Sequence, residues 1–148
     1  MSLQLHYLTV QDVLWINLQV TGRDHGFVYA KLEEATYYQY AYGDSNSLIP
    51  QAARFVRGFC RMQPLDSGSR PTAFIGLLTF LTINGMSVEL TDANASPWFE
   101  TISQDSTAIV EAIKSIAKPS SHEGHSEPDI RKTIRDLVDR FSKTLTRL

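Results

Sequence analysis

The stretch Pro71-Thr72-Ala73-Phe74-Ile75-Gly76-Leu77-Leu78-Thr79-Phe80-Leu81-Thr82-Ile83-Asn84-Gly85 decides the fold of this chain. From Thr72 to Asn84 it is the most hydrophobic run in the sequence, apolar in nearly every helical direction rather than along one stripe. A helix of that kind is the buried centre of a bundle. Pro71 suits its first turn, where a missing N–H needs no partner, and Gly85 is a natural C-terminal stop. The longest apolar piece, Phe74–Leu81, is interrupted by Gly76 and Thr79 and is far too short to cross a bilayer. The fold class that follows is all-α, with amphipathic helices wrapped around this one.

Working outward, Thr9 followed by Asp12 is a capping-box-like start, and Val13, Leu14, Ile16 and Val20 supply an apolar stripe that ends at Gly22. Arg23–Gly26 reads as a polar turn. A second helix runs from about Val28 to Tyr42, stopped by Gly43–Asn46. Its tyrosines Tyr37, Tyr38, Tyr40 and Tyr42 cover too many directions for all to be buried. They form either a protein-facing surface or a half-buried flank whose hydroxyls reach water. Ser47 can cap a third helix in which Ala52, Ala53, Phe55, Val56 and Phe59 pack inward.

Beyond the central run, Met86–Leu90 alternates like a short strand, and Pro97–Ile102 and Ser106–Lys118 read as helices. Ile109, Ala112, Ile113 and Ile116 share one face of the latter. Pro119–Pro128 is dominated by Ser, Gly, His, Glu and Pro, the composition of a solvated linker. Asp129 can then cap a final amphipathic helix with Ile130, Ile134, Leu137, Val138, Phe141 and Leu145 along one stripe. The expected organisation is a helical domain over 1–118, a linker over 119–128 and a C-terminal amphipathic helix over 129–148.

Composition narrows the function classes. Of 148 residues, 43% are hydrophobic and 20% charged, and the formal net charge of −2 argues against a nucleic-acid clamp. The single cysteine, Cys60, has no partner for an internal disulfide and reads as a packed apolar side chain. With no signal-peptide pattern over Met1–Val10, a reducing cytoplasm is the expected location. His6, His25, His122 and His125 are scattered, without a thiolate at ligand spacing, so no transition-metal centre is expected. Trp15 and Trp98 read as core or edge residues.

The opening Tyr7-Leu8-Thr9-Val10-Gln11-Asp12-Val13-Leu14 resembles the first-helix signature of Doc-type (death-on-curing) toxins. Ala52-Ala53-Arg54 through Asn84-Gly85 resembles that family's central helix–loop–helix. The likeness spans Leu5–Lys118 and leaves out the tail. Doc proteins belong with Fic proteins, which transfer a nucleotide or phosphate between a nucleoside triphosphate and a protein hydroxyl. The resemblance therefore implies a Fic/Doc-type helical bundle with an additional C-terminal helix.

The family's loop reads His-Pro-Phe-x-Asp-Gly-Asn-Lys-Arg-Thr-Ala. This chain has Gln63-Pro64-Leu65-Asp66-Ser67-Gly68-Ser69-Arg70-Pro71-Thr72-Ala73. Pro64, Gly68, Thr72 and Ala73 fix the register, and Arg70 is similar to the usual Lys. By that resemblance, Gln63 stands where the His handles the hydroxyl proton and Ser67 where an acid helps hold the metal. Ser69 stands for the Asn and Pro71 for the phosphate-gripping Arg. A register shifted by one residue puts Asp66 at the acidic position and Arg70 at the arginine, but it loses the four matches and places Met62 at the His.

The chemistry of these exchanges follows from the side chains alone. A glutamine amide does not titrate near neutral pH and cannot act as a general base, an effect worth about two to four orders of magnitude in rate. A serine hydroxyl is a weak magnesium ligand beside a carboxylate. Proline in place of arginine removes a bidentate phosphate clamp. The expectation is a pseudoenzyme that acts as a protein-binding or regulatory module and requires no cofactor.

Several alternatives stay open. Ser67, Gly68, Ser69, Arg70 and Thr72 precede or open a helix, where N–H groups and the dipole favour an anion, so a weak nucleotide or phosphate pocket is one reading and a purely structural loop the other. An active transferase of atypical mechanism would use ATP or another nucleotide with magnesium, with substrate-assisted proton transfer or with Asp66 as base or metal ligand. The resemblance also implies a partner: an antitoxin-like helix laid in the groove near the loop. The C-terminal stripe Ile130, Ile134, Leu137, Val138, Phe141 and Leu145 can fill that role in cis, close the chain's own core, or self-associate into an oligomeric scaffold. The segment Gly22–Phe27, in the place of the family's target-aligning flap, is short. Neither nucleic acid nor membrane is an expected partner.

Overall fold

The computed structural model describes residues 5–23, 26–37, 47–104, 108–119 and 129–148. Among these, the fold is all-α apart from one two-stranded ribbon. The helices are α1 (Val10–Thr21), α2 (Tyr29–Tyr37), α3 (Leu48–Met62), α4 (Ser69–Ile83), α5 (Ala95–Gln104), α6 (Ile109–Ile116), α7 (Ile130–Arg140) and α8 (Ser142–Arg147). His25, Tyr38, Tyr40, Tyr42, the Gly43–Asn46 stop, the start at Ser106, and His122 and His125 of the linker lie outside the described residues.

α4 is the centre. Every residue from Ser69 to Ile83 is buried except Arg70 and Thr82. α1, α3 and α7 pack around it. Its threonines are tolerated because Thr79 and Thr82 donate their hydroxyls to the carbonyls of Ile75 and Leu78, at 2.7 and 2.8 Å. Gly76 marks the tightest crossing: a Cβ there would stand 2.9 Å from the ring of Phe55 on α3. On another side, Phe74 meets Phe99 of α5 and Phe141 edge-on, at ring separations of 5.4 and 5.3 Å.

α1 begins and ends as its sequence predicts. Thr9 Oγ1 accepts from the Asp12 N–H at 3.1 Å, and Asp12 accepts in return from the Thr9 N–H at 2.9 Å. Gly22 closes it in the left-handed region, φ 80°. Ser47, by contrast, precedes α3 without a side-chain capping bond.

Four boundaries differ from expectation. α4 starts at Ser69, so Pro71 is its third residue, still within the first turn. α5 extends over Ala95–Gln104, beyond the expected Pro97–Ile102. The helix expected over Ser106–Lys118 stops at Ile116, because Ala117–Pro119 forms strand β2. It pairs antiparallel with β1 (Met86–Val88), Met86 opposite Pro119 and Val88 opposite Ala117. A strand needs a ladder partner for its backbone groups, and only a segment distant in sequence was left to supply one. The final helix is not continuous: it breaks at Phe141 (φ −111°, ψ 31°), dividing α7 from α8.

The apolar stripe of the tail packs in cis. Ile134, Leu137 and Phe141 are buried in the same core as α4, with Ile130, Val138 and Leu145 half-buried against it. Arg131 lies over the ring of Trp15, 4.4 Å from its centre. Arg140 donates to the carbonyls of Val88 and Leu90 at 2.9 and 2.7 Å, so the tail also grips the end of β1. Among the described residues, no helix is long and apolar enough to cross a membrane.

Candidate functional site at the start of the central helix

The loop between α3 and α4 carries every candidate position, and its course is set by two backbone reversals. Gln63 caps α3 in the left-handed region (φ 43°, ψ 65°), its N–H donating to the Phe59 carbonyl at 3.0 Å. Its side chain is exposed. Pro64 and Leu65 then turn inward and are buried. Gly68, φ 77°, turns the chain into α4. A Cβ on Gly68 would lie 2.5 Å from Thr21 Cγ2 and 3.1 Å from Asn17 Nδ2, so only glycine fits.

The segment after α1 touches this loop. Phe27 and Leu65 form an isolated antiparallel bridge, and the Asp66 N–H donates to the Gly26 carbonyl at 3.0 Å. Gly26 and Phe27, at the end of the short stretch after α1, are thus in backbone contact with the candidate site.

Most polar side chains of the loop already have structural work. The Ser69 hydroxyl is bonded to both the N–H and the carbonyl of Leu65, each at 3.2 Å. Thr72 is fully buried, and its Oγ1 accepts from Asn17 Nδ2 at 3.2 Å. The same Asn17 amide donates to the Ser67 carbonyl at 2.9 Å. Arg70 forms an ion pair with Glu100 of α5 and lies beside the Phe99 ring. Pro71 is buried. The exposed side chains are Gln63, Asp66 and Ser67.

These residues line an open concavity of about 360 Å³, with Leu148 contributing from the tail. No side chain caps the start of α4, and Pro71 removes one N–H donor from its first turn. What remains for an anion is the helix dipole, the rest of the first-turn N–H groups and a guanidinium neutralised by Glu100. For magnesium the donor set fits poorly, since hard divalent cations favour several charged oxygens and Asp66 is the one acidic side chain in the lining of the concavity. Burial pushes the thiol of Cys60, nearby on α3, up to about 11 and so disfavours its thiolate, against a smaller opposing pull from Arg70.

Two participants were not visible in the sequence reading: Asn17 and Glu100. Asn17 had a signal. It continues the Val13–Ile16–Val20 face of α1, and an amide on an apolar face is buried with a partner. Glu100 had none, because nothing local in the chain links it to Arg70. No family model, no curated protein and no solved structure matches this chain.

Proposed function

We propose that this chain is a catalytically degenerate Doc/Fic-like protein, a pseudoenzyme that acts as a protein-binding or regulatory module. The observation that carries the reading is the engagement of the loop's polar groups. Ser69 is bonded to Leu65, Thr72 to Asn17 and Arg70 to Glu100, while the exposed Gln63 has no proton to exchange near neutral pH. A loop built this way positions backbone and helices; it does not drive group transfer.

The partner surface lies beside it. Phe27, Val28 and Tyr29 are 39%, 62% and 58% exposed, next to the backbone bridge with Leu65. Consecutive exposed apolar residues on such an edge suit a protein partner. The single cysteine fits a reducing cytoplasm. The module needs neither nucleotide nor magnesium.

A transfer assay with labelled triphosphate and magnesium is expected to leave both the chain and added proteins unlabelled. Labelling that Asp66→Ala abolishes would instead assign an active transferase with an atypical base, a reading favoured by the exposed Asp66 carboxylate at the concavity. An assembly through the final helix draws on Ile130, Val138 and Leu145, the half-buried members of its stripe. Light scattering of the full chain reads that assembly directly, and a monomer removes it.

A further inference from the structure

A row of charge of a single sign lies on α3, away from the loop. α3 contains Arg54, Arg57 and Arg61 and no acidic residue, in a chain whose net charge is −2. At helical spacing the three fall within about 60° of arc and spread along roughly 10 Å of axis. Arg57 and Arg61 are exposed. Neither has a carboxylate within ion-pair distance among the described residues.

The shape around them is not that of a plain solvated face. Arg57 and Arg61 form a ridge between two concavities. One, about 400 Å³, has Gly58 and Met62 in its lining and reaches Glu34 of α2. The other, about 380 Å³, is lined by Cys60, Ile102 and Ile109 together with the same two arginines. Gly58 is buried and has no side chain to fill the first hollow. The apolar wall beside the guanidinium groups is Met62 in the first hollow and Cys60, Ile102 and Ile109 in the second.

We infer that this ridge is a docking site for an acidic helical segment of a partner protein. Carboxylates one turn apart on such a segment match Arg57 and Arg61 in spacing, and planar guanidinium groups bind carboxylates two bonds at a time. Apolar residues flanking the carboxylates would enter the hollows beside the ridge. A single phosphate would use one of these two arginines and leave the other unmatched. A nucleic-acid backbone would meet a chain of net negative charge with one short basic row. The inference is independent of the loop and of whether that loop binds nucleotide.

The test uses the full chain and a fluorescein-labelled helical peptide carrying Glu at i, i+3, i+4 and i+7 with Leu on the flank, titrated by fluorescence anisotropy. Binding at low salt, falling steeply as salt is raised, is expected. The double variant Arg57→Ala/Arg61→Ala should lose about tenfold or more in affinity. Lys132→Ala/Arg135→Ala on the exposed face of α7 should bind as the parent does. Both arginines of the ridge are exposed, and circular dichroism of each variant establishes that the fold is kept. No binding at low salt, equal losses in the two double variants, or tighter binding of a single-stranded oligonucleotide than of the peptide would each overturn the inference.

Discussion

Two helices of this chain begin in opposite ways. α8 is six residues long and starts at Phe141, which offers no side-chain cap of its own. A helix so short does not hold in isolation. Asp92, about fifty positions earlier in the chain, supplies the cap: its carboxylate accepts from the N–H groups of Lys143 and Thr144 and from the Thr144 hydroxyl, at 3.0, 2.7 and 2.7 Å. α4 is fifteen residues long and starts at a left-handed glycine with no side-chain cap either. Among the described residues, nothing comparable to Asp92 comes to it. Burial of its body holds it, while Asn17 grips the loop from behind. A helix stabilised along its whole length can leave its start unfinished. That is the place where residues bearing chemistry can change without unfolding the protein.

The contrast makes predictions, and the largest concerns the link between the two regions. Phe141 is both the residue before α8 and the edge-on neighbour of Phe74 in α4. Phe141→Ala should cost about 3–5 kcal/mol, the range for a fully buried aromatic. Urea unfolding followed by circular dichroism and by tryptophan fluorescence should show both probes shifting together. Separated transitions would mean that the tail and the bundle unfold independently.

Next in size is the one rigid demand at the start of α4. Gly68→Ala combines a left-handed φ with a contact to Thr21, a side chain fixed by hydrogen bonds to the Asn17 and Arg23 carbonyls. A loss of about 1–3 kcal/mol is expected. Asn17→Ala should cost on the order of 1–2 kcal/mol by leaving Thr72 Oγ1 and the Ser67 carbonyl without their donor. Thermal melts of the two variants would check both. A neutral Asn17→Ala would mean that the loop does not depend on this grip.

How far the sequence reached follows from the range of each interaction. The start of α1 was readable because Thr9 and Asp12 are three residues apart, and the central place of α4 because its apolar composition needs no partner to be seen. β2 was not readable, since Ala117–Pro119 becomes a strand only through Met86–Val88, some thirty residues away. The break at Phe141 was hidden by a stripe whose spacing runs straight across it. At the loop, contiguity brought the candidate residues together, and that Gln63 carries no titratable group was plain. That Ser69, Thr72 and Arg70 are tied to Leu65, Asn17 and Glu100 depends on folding back and on distant elements.

The capped start offers a pH-dependent comparison. The side-chain bond from Thr144, ahead of the backbone bonds from Thr144 and Lys143, lowers the Asp92 pKa below its ordinary 3.8. A carboxyl with a lowered folded pKa contributes stability that is fully present above the unfolded value and is lost as pH falls through the folded one. Asp92→Asn should therefore melt lower than the parent at neutral pH, and the gap should close below about pH 4. α4, whose start has no side-chain cap, should show no matching change from substitution of Gln63 or Ser67 in its loop. A gap that stayed constant from neutral to acid pH would assign the Asp92 contribution to shape rather than charge.

The smallest effect tests the claim that the exposed Gln63 side chain is free of the fold. Gln63 is the one non-glycine residue with positive φ among those described. Glycine adopts that region without the clash a Cβ meets, so Gln63→Gly should raise stability by about 0.5–1 kcal/mol, less the extra freedom glycine gives the unfolded chain. A melting temperature equal to or slightly above that of the parent is the expected result. If the variant melted clearly lower, the exposed amide would be holding the turn through its side chain. The start of α4 would then be as finished as that of α8, by a different residue, and the contrast between the two helix starts would fail.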